Sequence, residues 1–181
     1  AQGCYAYDPR TGRELWHVRY SGFSAVPRPV AAAGLVYIVT DFARPQLWAI
    51  RTDGRGDVTK SHVAWKFKQQ MPSTPSPAVA GGLIYTVSDK GGVACCLDAV
   101  TGKLQWKKRL GGNFASSPIT SGDRVYFFDR RGQATVMQQG RTSRVLATNR
   151  LAGGLMASPA ASGDALYLRT GTHLYRVEST R

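Results

Sequence analysis

Pro77, Pro118 and Pro159 stand 41 residues apart, and Tyr85, Tyr126 and Tyr167 follow them at the same interval. Pro29 and Tyr37 precede Pro77 and Tyr85 by 48 residues, so one unit carries seven extra. Between each Pro and its Tyr lies a two-residue turn signal: Ala33-Gly34, Gly81-Gly82, Gly122-Asp123 and Gly163-Asp164. A fixed period of this length constrains a chain more than its composition does. Each unit must offer the same faces to its neighbours, and none can bury its apolar face alone.

A second pattern supports the first. AYDPRTGRELW, from Ala6 to Trp16, returns as CLDAVTGKLQW, from Cys96 to Trp106. Both copies carry Asp, then Thr-Gly three residues on, then Trp four residues after the Gly. The spacing describes a tight reversal in which Asp accepts from free backbone N–H groups and Gly takes the positive-φ position before the chain re-enters a strand. Each unit therefore reads as strand, hairpin turn, strand through the Tyr, loop, third strand, Asp/Thr-Gly turn and fourth strand. Four short antiparallel strands in about 40 residues is the arithmetic of a β-propeller blade.

The fold class expected is all-β, with four to four and a half four-stranded antiparallel blades across residues 1–181. The blades fall at about 1–20 (partial), 26–68, 76–109, 117–150 and 158–178 (partial), with strands near 35–40, 83–88, 124–129 and 165–170. The chain opens on Ala1, inside a third strand, so any signal peptide is expected to lie outside it. Four such blades should form an open arc, a part of a seven- or eight-bladed ring, because closing them would pull every interface from its packing angle.

Charge is the loudest number in the composition: 24 Lys and Arg against 11 Asp and Glu, a net of +13. Alone it points to nucleic acid or a membrane surface. The densest groups are Lys103, Lys107, Lys108 and Arg109, then Arg124, Arg130 and Arg131, and neither is interleaved with aromatics that would stack on bases. A solvated basic face is expected, with no nucleic-acid partner. No apolar run approaches the ~18 residues of a spanning helix, so no membrane insertion is expected.

The docking pattern resembles that of the pyrroloquinoline-quinone (PQQ) repeat propellers, in which an Ala, Asp, Thr-Gly and Trp motif packs its Trp between adjacent blades. Ala6, Asp8, Thr11, Gly12 and Trp16 match it in full, and Asp98, Thr101, Gly102 and Trp106 match it with Cys96 in place of Ala. The long unit keeps Ala49, Gly54 and Trp65. The third full unit loses the motif, with Gln139 at the Asp place and Ala147 at the Trp place.

Quinoprotein dehydrogenases of this family hold PQQ with Ca²⁺ in the funnel, and some set a disulfide between adjacent cysteines against it. Cys95 and Cys96 are adjacent, yet they lie inside a third strand rather than in a loop over a cofactor. The acids sit at turns, and Asp53 and Asp57 would give Ca²⁺ two oxygens where about six to eight are needed. His17, His62 and His173 are scattered, and no catalytic, metal or cofactor-binding residue is expected.

Binding remains. The residues before each repeated Pro should face the funnel: Arg28, Thr74 with Ser76, Ser116 with Ser117, and Ser158. The expanded turn from Arg51 to His62 is the other candidate, with Asp53, Arg55, Asp57, Lys60 and His62. The resemblance implies a non-enzymatic periplasmic or extracellular scaffold, similar to the BamB-type lipoproteins of outer-membrane assembly, that binds a protein partner and the remaining blades. The alternatives are a piece of a PQQ-dependent dehydrogenase whose acids lie in other blades and, third, a sensor or carbohydrate-associated propeller fused to another domain.

Overall fold

The computed structural model describes residues 2–178, which form five sheets and, among those residues, no helix. The first sheet holds β1 (Gly3–Tyr7) and β2 (Glu14–Arg19). The second holds β3 (Val30–Ala32), β4 (Leu35–Val39) and β5 (Leu47–Arg51). The chain then leaves it through β6 (Gly56–Asp57) and returns as β7 (Val63–Phe67). The third is β8 (Ala78–Ala80), β9 (Leu83–Val87), β10 (Val93–Asp98) and β11 (Leu104–Arg109). The fourth is β12 (Ile119–Ser121), β13 (Arg124–Phe128), β14 (Gln133–Gln138) and β15 (Val145–Arg150). The fifth is β16 (Ala160–Ser162), β17 (Ala165–Arg169) and β18 (Leu174–Glu178).

Apart from β6, which adds to the first sheet in parallel beside β2, each sheet is an antiparallel meander in chain order, as the repeat required, and β4, β9, β13 and β17 fall on the four expected strand spans. The hairpins entering them are tight. Gly81 and Gly82 have φ of +57° and +72°, the two left-handed positions of a type I′ turn. Ala33 occupies the same first position at φ +51°, which costs a residue with a Cβ about 1–2 kcal/mol.

The register explains the repeated residues. Tyr37 pairs with Ala49, Tyr85 with Cys96 and Tyr126 with Val136, and across the next ladder Ala49 faces Trp65, Cys96 faces Trp106 and Val136 faces Ala147. Ala6 faces Trp16 in the same way. A bulge follows each of these four positions, turning the strand end toward the turn into the fourth strand, which is the Asp/Thr-Gly reversal after Ala6 and Cys96. One sequence assignment shifts by a residue: with Val136 rather than Met137 opposite the Tyr, the Asp98 place in the fourth sheet belongs to Gln138, not Gln139.

The core lies between sheets. Trp16 and Val18 pack on Ile38, Trp48 and Ile50; Tyr37 and Leu47 on Ile84 and Leu97; Tyr85 and Trp106 on Val125, Phe127 and Met137; and Phe128 on Leu155 and Leu168. The inner strands β3, β8, β12 and β16 are neighbours in that order. Among the described residues each core cluster joins one sheet to the next, none joins the fifth to the first, and no strand of the first pairs with the fifth, so the blades form an open arc of a propeller, as the packing argument anticipates.

Candidate functional site

The inner strands are joined by a ladder of serines. The Ser76 hydroxyl oxygen accepts the Arg28 N–H at 3.0 Å, the Ser117 oxygen accepts the Ser76 N–H at 2.9 Å, and the Ser158 oxygen accepts the Ser117 N–H at 2.9 Å. A short strand start on a channel wall has N–H groups with no ladder partner, and a side chain from the next blade satisfies each one. Arg28, Ser76, Ser117 and Ser158 line a cavity of about 620 Å³ on this wall. The other two funnel candidates lie elsewhere. Ser116 is 1% exposed and donates to the Phe128 carbonyl at 2.8 Å, and half-buried Thr74 is outside the lining.

The cavity wall carries one guanidinium, hydroxyls and prolines, and no carboxylate. Among the described residues no three His, Cys, Asp or Glu side chains gather as metal ligands. This donor set does not fit Ca²⁺, which takes six to eight oxygens.

The expanded turn reaches backward across the blade boundary. Gly56 and Asp57 pair in parallel with Trp16 and His17 of β2, and the Val58 N–H continues the ladder to the His17 carbonyl at 2.9 Å. Val58 is buried, and Gly54 leaves the space that Val58 and His62 fill. Asp57 accepts from the Thr59 N–H and hydroxyl at 3.0 and 2.5 Å and lies 3.6 Å from His17 Nε2 and 3.8 Å from Arg19 Nε. The Thr59 hydroxyl, its N–H, and then the basic neighbours hold the Asp57 carboxyl below its ordinary range. Asp53 sits 3.6 Å from His62 Nε2, Arg55 donates to the Gly54 carbonyl, and Lys60 is exposed. Of these side chains only Asp57 reaches β2; the clip is fastened by the backbone of residues 56–58 and by the buried Val58, while Asp53 and Arg55 are held within the loop itself.

The motif residues sit at the blade seams. Asp8 accepts the N–H groups of Arg10 and Thr11 at 2.8 and 3.3 Å; Asp98 accepts those of Val100 and Thr101 at 3.2 and 2.9 Å. Gly12 and Gly102 both have φ +70°. Trp65 Nε1 donates to the Ala99 carbonyl of the third sheet at 3.2 Å, where the Tyr37 hydroxyl also donates at 3.1 Å. One seam on, Trp106 Nε1 donates to the Gly140 carbonyl at 3.0 Å and the Tyr85 oxygen accepts the Gly140 N–H at 3.0 Å. Arg141, beside that turn, reaches back to Asp98 and Gln105, each at 2.8 Å. Its guanidinium, with Thr101, holds the Asp98 carboxyl down at about 2.

Cys95 and Cys96 are buried and, like the half-buried Cys4, free. Cys96 belongs to the cluster between the third and fourth sheets, and strand alternation turns Cys95 the other way. Burial pushes the Cys95 thiol up to about 11 and the Cys96 thiol up to about 12, so neither is a nucleophile at neutral pH.

A further series escaped the sequence reading. Asp41, Asp89 and Asp129 each end a second strand and fold inward onto backbone N–H groups, those of Phe23, Ala43 and Arg44, of Ser73, and of Arg131 and Gln133 respectively. Their spacing of 48 and 40 residues is the signal that would have revealed them.

The comparisons agree with this architecture. BamB from Moraxella catarrhalis superposes with a TM-score of 0.70 at 16% identity, over 93% of this chain and 50% of that one. Quinohemoprotein alcohol dehydrogenase ADHIIG from Pseudomonas putida HK5 gives 0.67 at 14% identity, over 93% and 30%. A europium-containing methanol dehydrogenase gives 0.54 at 16% identity, over 67% and 24%. The chain thus spans half the length of that BamB or less of the others, and at these identities the likeness is one of fold. No curated protein matches the sequence. The family model described as outer membrane protein assembly factor BamB matches residues 55–180. With most of its length under that model, and PQQ-type blades throughout, the chain belongs to the BamB family of PQQ-like propellers.

Proposed function

We propose that the chain is a non-enzymatic scaffold, part of an extracytoplasmic propeller that binds protein partners in outer-membrane protein assembly. The observation carrying this reading is the serine ladder: the polar atoms nearest the channel join blade to blade, as in a wall built for rigidity. The buried, protonated Cys95 and Cys96 support it, since they are fixed in a strand on opposite faces. Rigid blades leave recognition to the loops.

The direct test replaces exposed loop residues, Arg10 and Lys60 among them, with a photo-crosslinking amino acid in the intact protein. A recurrent adduct with one component of outer-membrane protein assembly is expected. Titration of the purified chain with PQQ and Ca²⁺, followed by dye-linked alcohol oxidation, is expected to show neither saturable binding nor turnover. Saturable binding with turnover would make the dehydrogenase reading the correct one.

A further inference from the structure

In a meander blade the connections from second to third strand, and from fourth strand to the next blade, emerge on one face of the arc, while the tight turns emerge on the other. The first face gathers Arg44 and Lys68 from the second sheet, Lys90 from the third, Arg130 and Arg131 from the fourth and Arg169 from the fifth. All six are exposed, and among the described residues none makes an ion pair. The acids of the same connections, Asp41, Asp89 and Asp129, are turned in on backbone N–H groups. The opposite face is mixed in sign: exposed Arg10, Arg13, Lys60, Lys103 and Arg144 share it with Asp8, Asp53, Asp98, Asp123 and Asp164, and Arg141 pairs there with Asp98 and Arg124 with Asp123.

The same basic face exposes apolar tips. Phe23, Val26, Phe42, Met156 and Leu174 are 56, 58, 46, 62 and 73% exposed, and all five lie in or at the edge of its connections. Neighbours in sequence had shown cations without aromatics; the fold interleaves residues that are far apart in the chain. The Phe23 and Phe42 rings lie 6.2 Å apart at 45°, so together they form a wedge rather than two open stacking faces.

We propose that this face adsorbs to an anionic phospholipid surface. Unpaired Lys and Arg meet headgroup phosphates, and the separate apolar tips enter the headgroup and acyl boundary without spanning it. Isolated tips between cations suit a fluid layer that conforms to them. A folded acidic protein would instead call for a contiguous apolar centre, and nucleic acid for open aromatic faces. The inference does not rest on the scaffold reading above.

The test is co-sedimentation of the full chain with vesicles of phosphatidylcholine alone and with vesicles one-third phosphatidylglycerol. Binding to the anionic vesicles only, weakening as salt rises, is expected. The pair Arg130→Gln and Arg169→Gln should weaken it roughly 25-fold, at about fivefold per charge lost near the surface. Phe23→Ser with Phe42→Ser should weaken it too. Lys103→Gln with Arg124→Gln, on the opposite face, should leave it unchanged. If the glutamine pair shifts the melting curve, Arg130→Lys with Arg169→Lys keeps the charge and should keep the binding. Equal affinity for both vesicles, equal loss from the opposite-face pair, or tighter binding to a single-stranded oligonucleotide than to anionic vesicles would overturn the proposal.

Discussion

The indole of Trp65 lies against the backbone of Gly102 in the next sheet, so close that a Cβ on Gly102 would stand 2.5 Å from Trp65 Cδ2. Gly12 has the same φ of +70° and nothing within 4 Å of its Cβ position. The pair separates conformational cost from contact. Gly12→Ala is expected to cost about 1–2 kcal/mol for the left-handed backbone. Gly102→Ala should cost that plus about 1–3 kcal/mol for displacing the indole. Urea midpoints of the two variants check this, and equal losses would mean that Trp65 does not dock there.

The seams predict opposite effects at two equivalent positions. Trp106 is 8% exposed against Tyr85 and the fourth sheet, and Trp106→Ala should cost about 3–5 kcal/mol. Ala147 holds the same place one sheet on, near an apolar cavity of about 220 Å³ lined in part by Tyr126, Val136 and Leu168. Ala147→Trp should therefore stabilise, by about 0.5–2 kcal/mol. Equilibrium unfolding of both variants tests the docking role, which an unchanged midpoint in Trp106→Ala would remove.

Acid should dissolve one seam contact selectively. The Asp98 carboxyl is held at about 2 against an ordinary 3.8, a lowered value, so its stabilisation is complete above about pH 4 and is lost as pH falls toward 2. Arg141 is largely exposed, which limits the ion pair to about 0.2–1 kcal/mol. Arg141→Gln should melt earlier than the parent at neutral pH, with the difference vanishing by about pH 2. A difference constant with pH would point to packing instead.

Thiol chemistry offers a test of strand placement. With Cys95 and Cys96 buried and their thiols raised to about 11 and 12, a disulfide reagent at mildly alkaline pH should leave both untouched in the native protein and reach both after denaturation. Rapid native labelling of either would place the pair in an open loop.

The repeat made the fold legible because Pro and Tyr mark positions that every blade needs: Tyr37, Tyr85 and Tyr126 each meet the third-strand residue that faces the Trp position. Ser76, Ser117 and Ser158 were legible as channel residues for the same reason, though their backbone partners were not. The clip was hidden, since Gly56-Asp57 has no strand propensity and its partner β2 lies some 40 residues earlier. The shift from Gln139 to Gln138 was hidden too, because a third strand one residue nearer its Tyr leaves the Pro and Tyr periods intact. Likewise the basic face depends on which connections emerge together, a property of topology rather than of neighbours in sequence.

The parallel strand β6 changes how the first two blades come apart. An outer strand ordinarily frays first, since one edge of its ladder faces water. β2 has β1 on one side and the clip on the other, and the Arg19 N–H is held by the Thr59 hydroxyl at 2.9 Å. Amide exchange in β2 is thereby coupled to opening of the second sheet, and the two blades exchange as one cooperative block. Among the described residues β15 has no such cover and is exposed along its whole length, so its amides should exchange by local fraying long before those of β2.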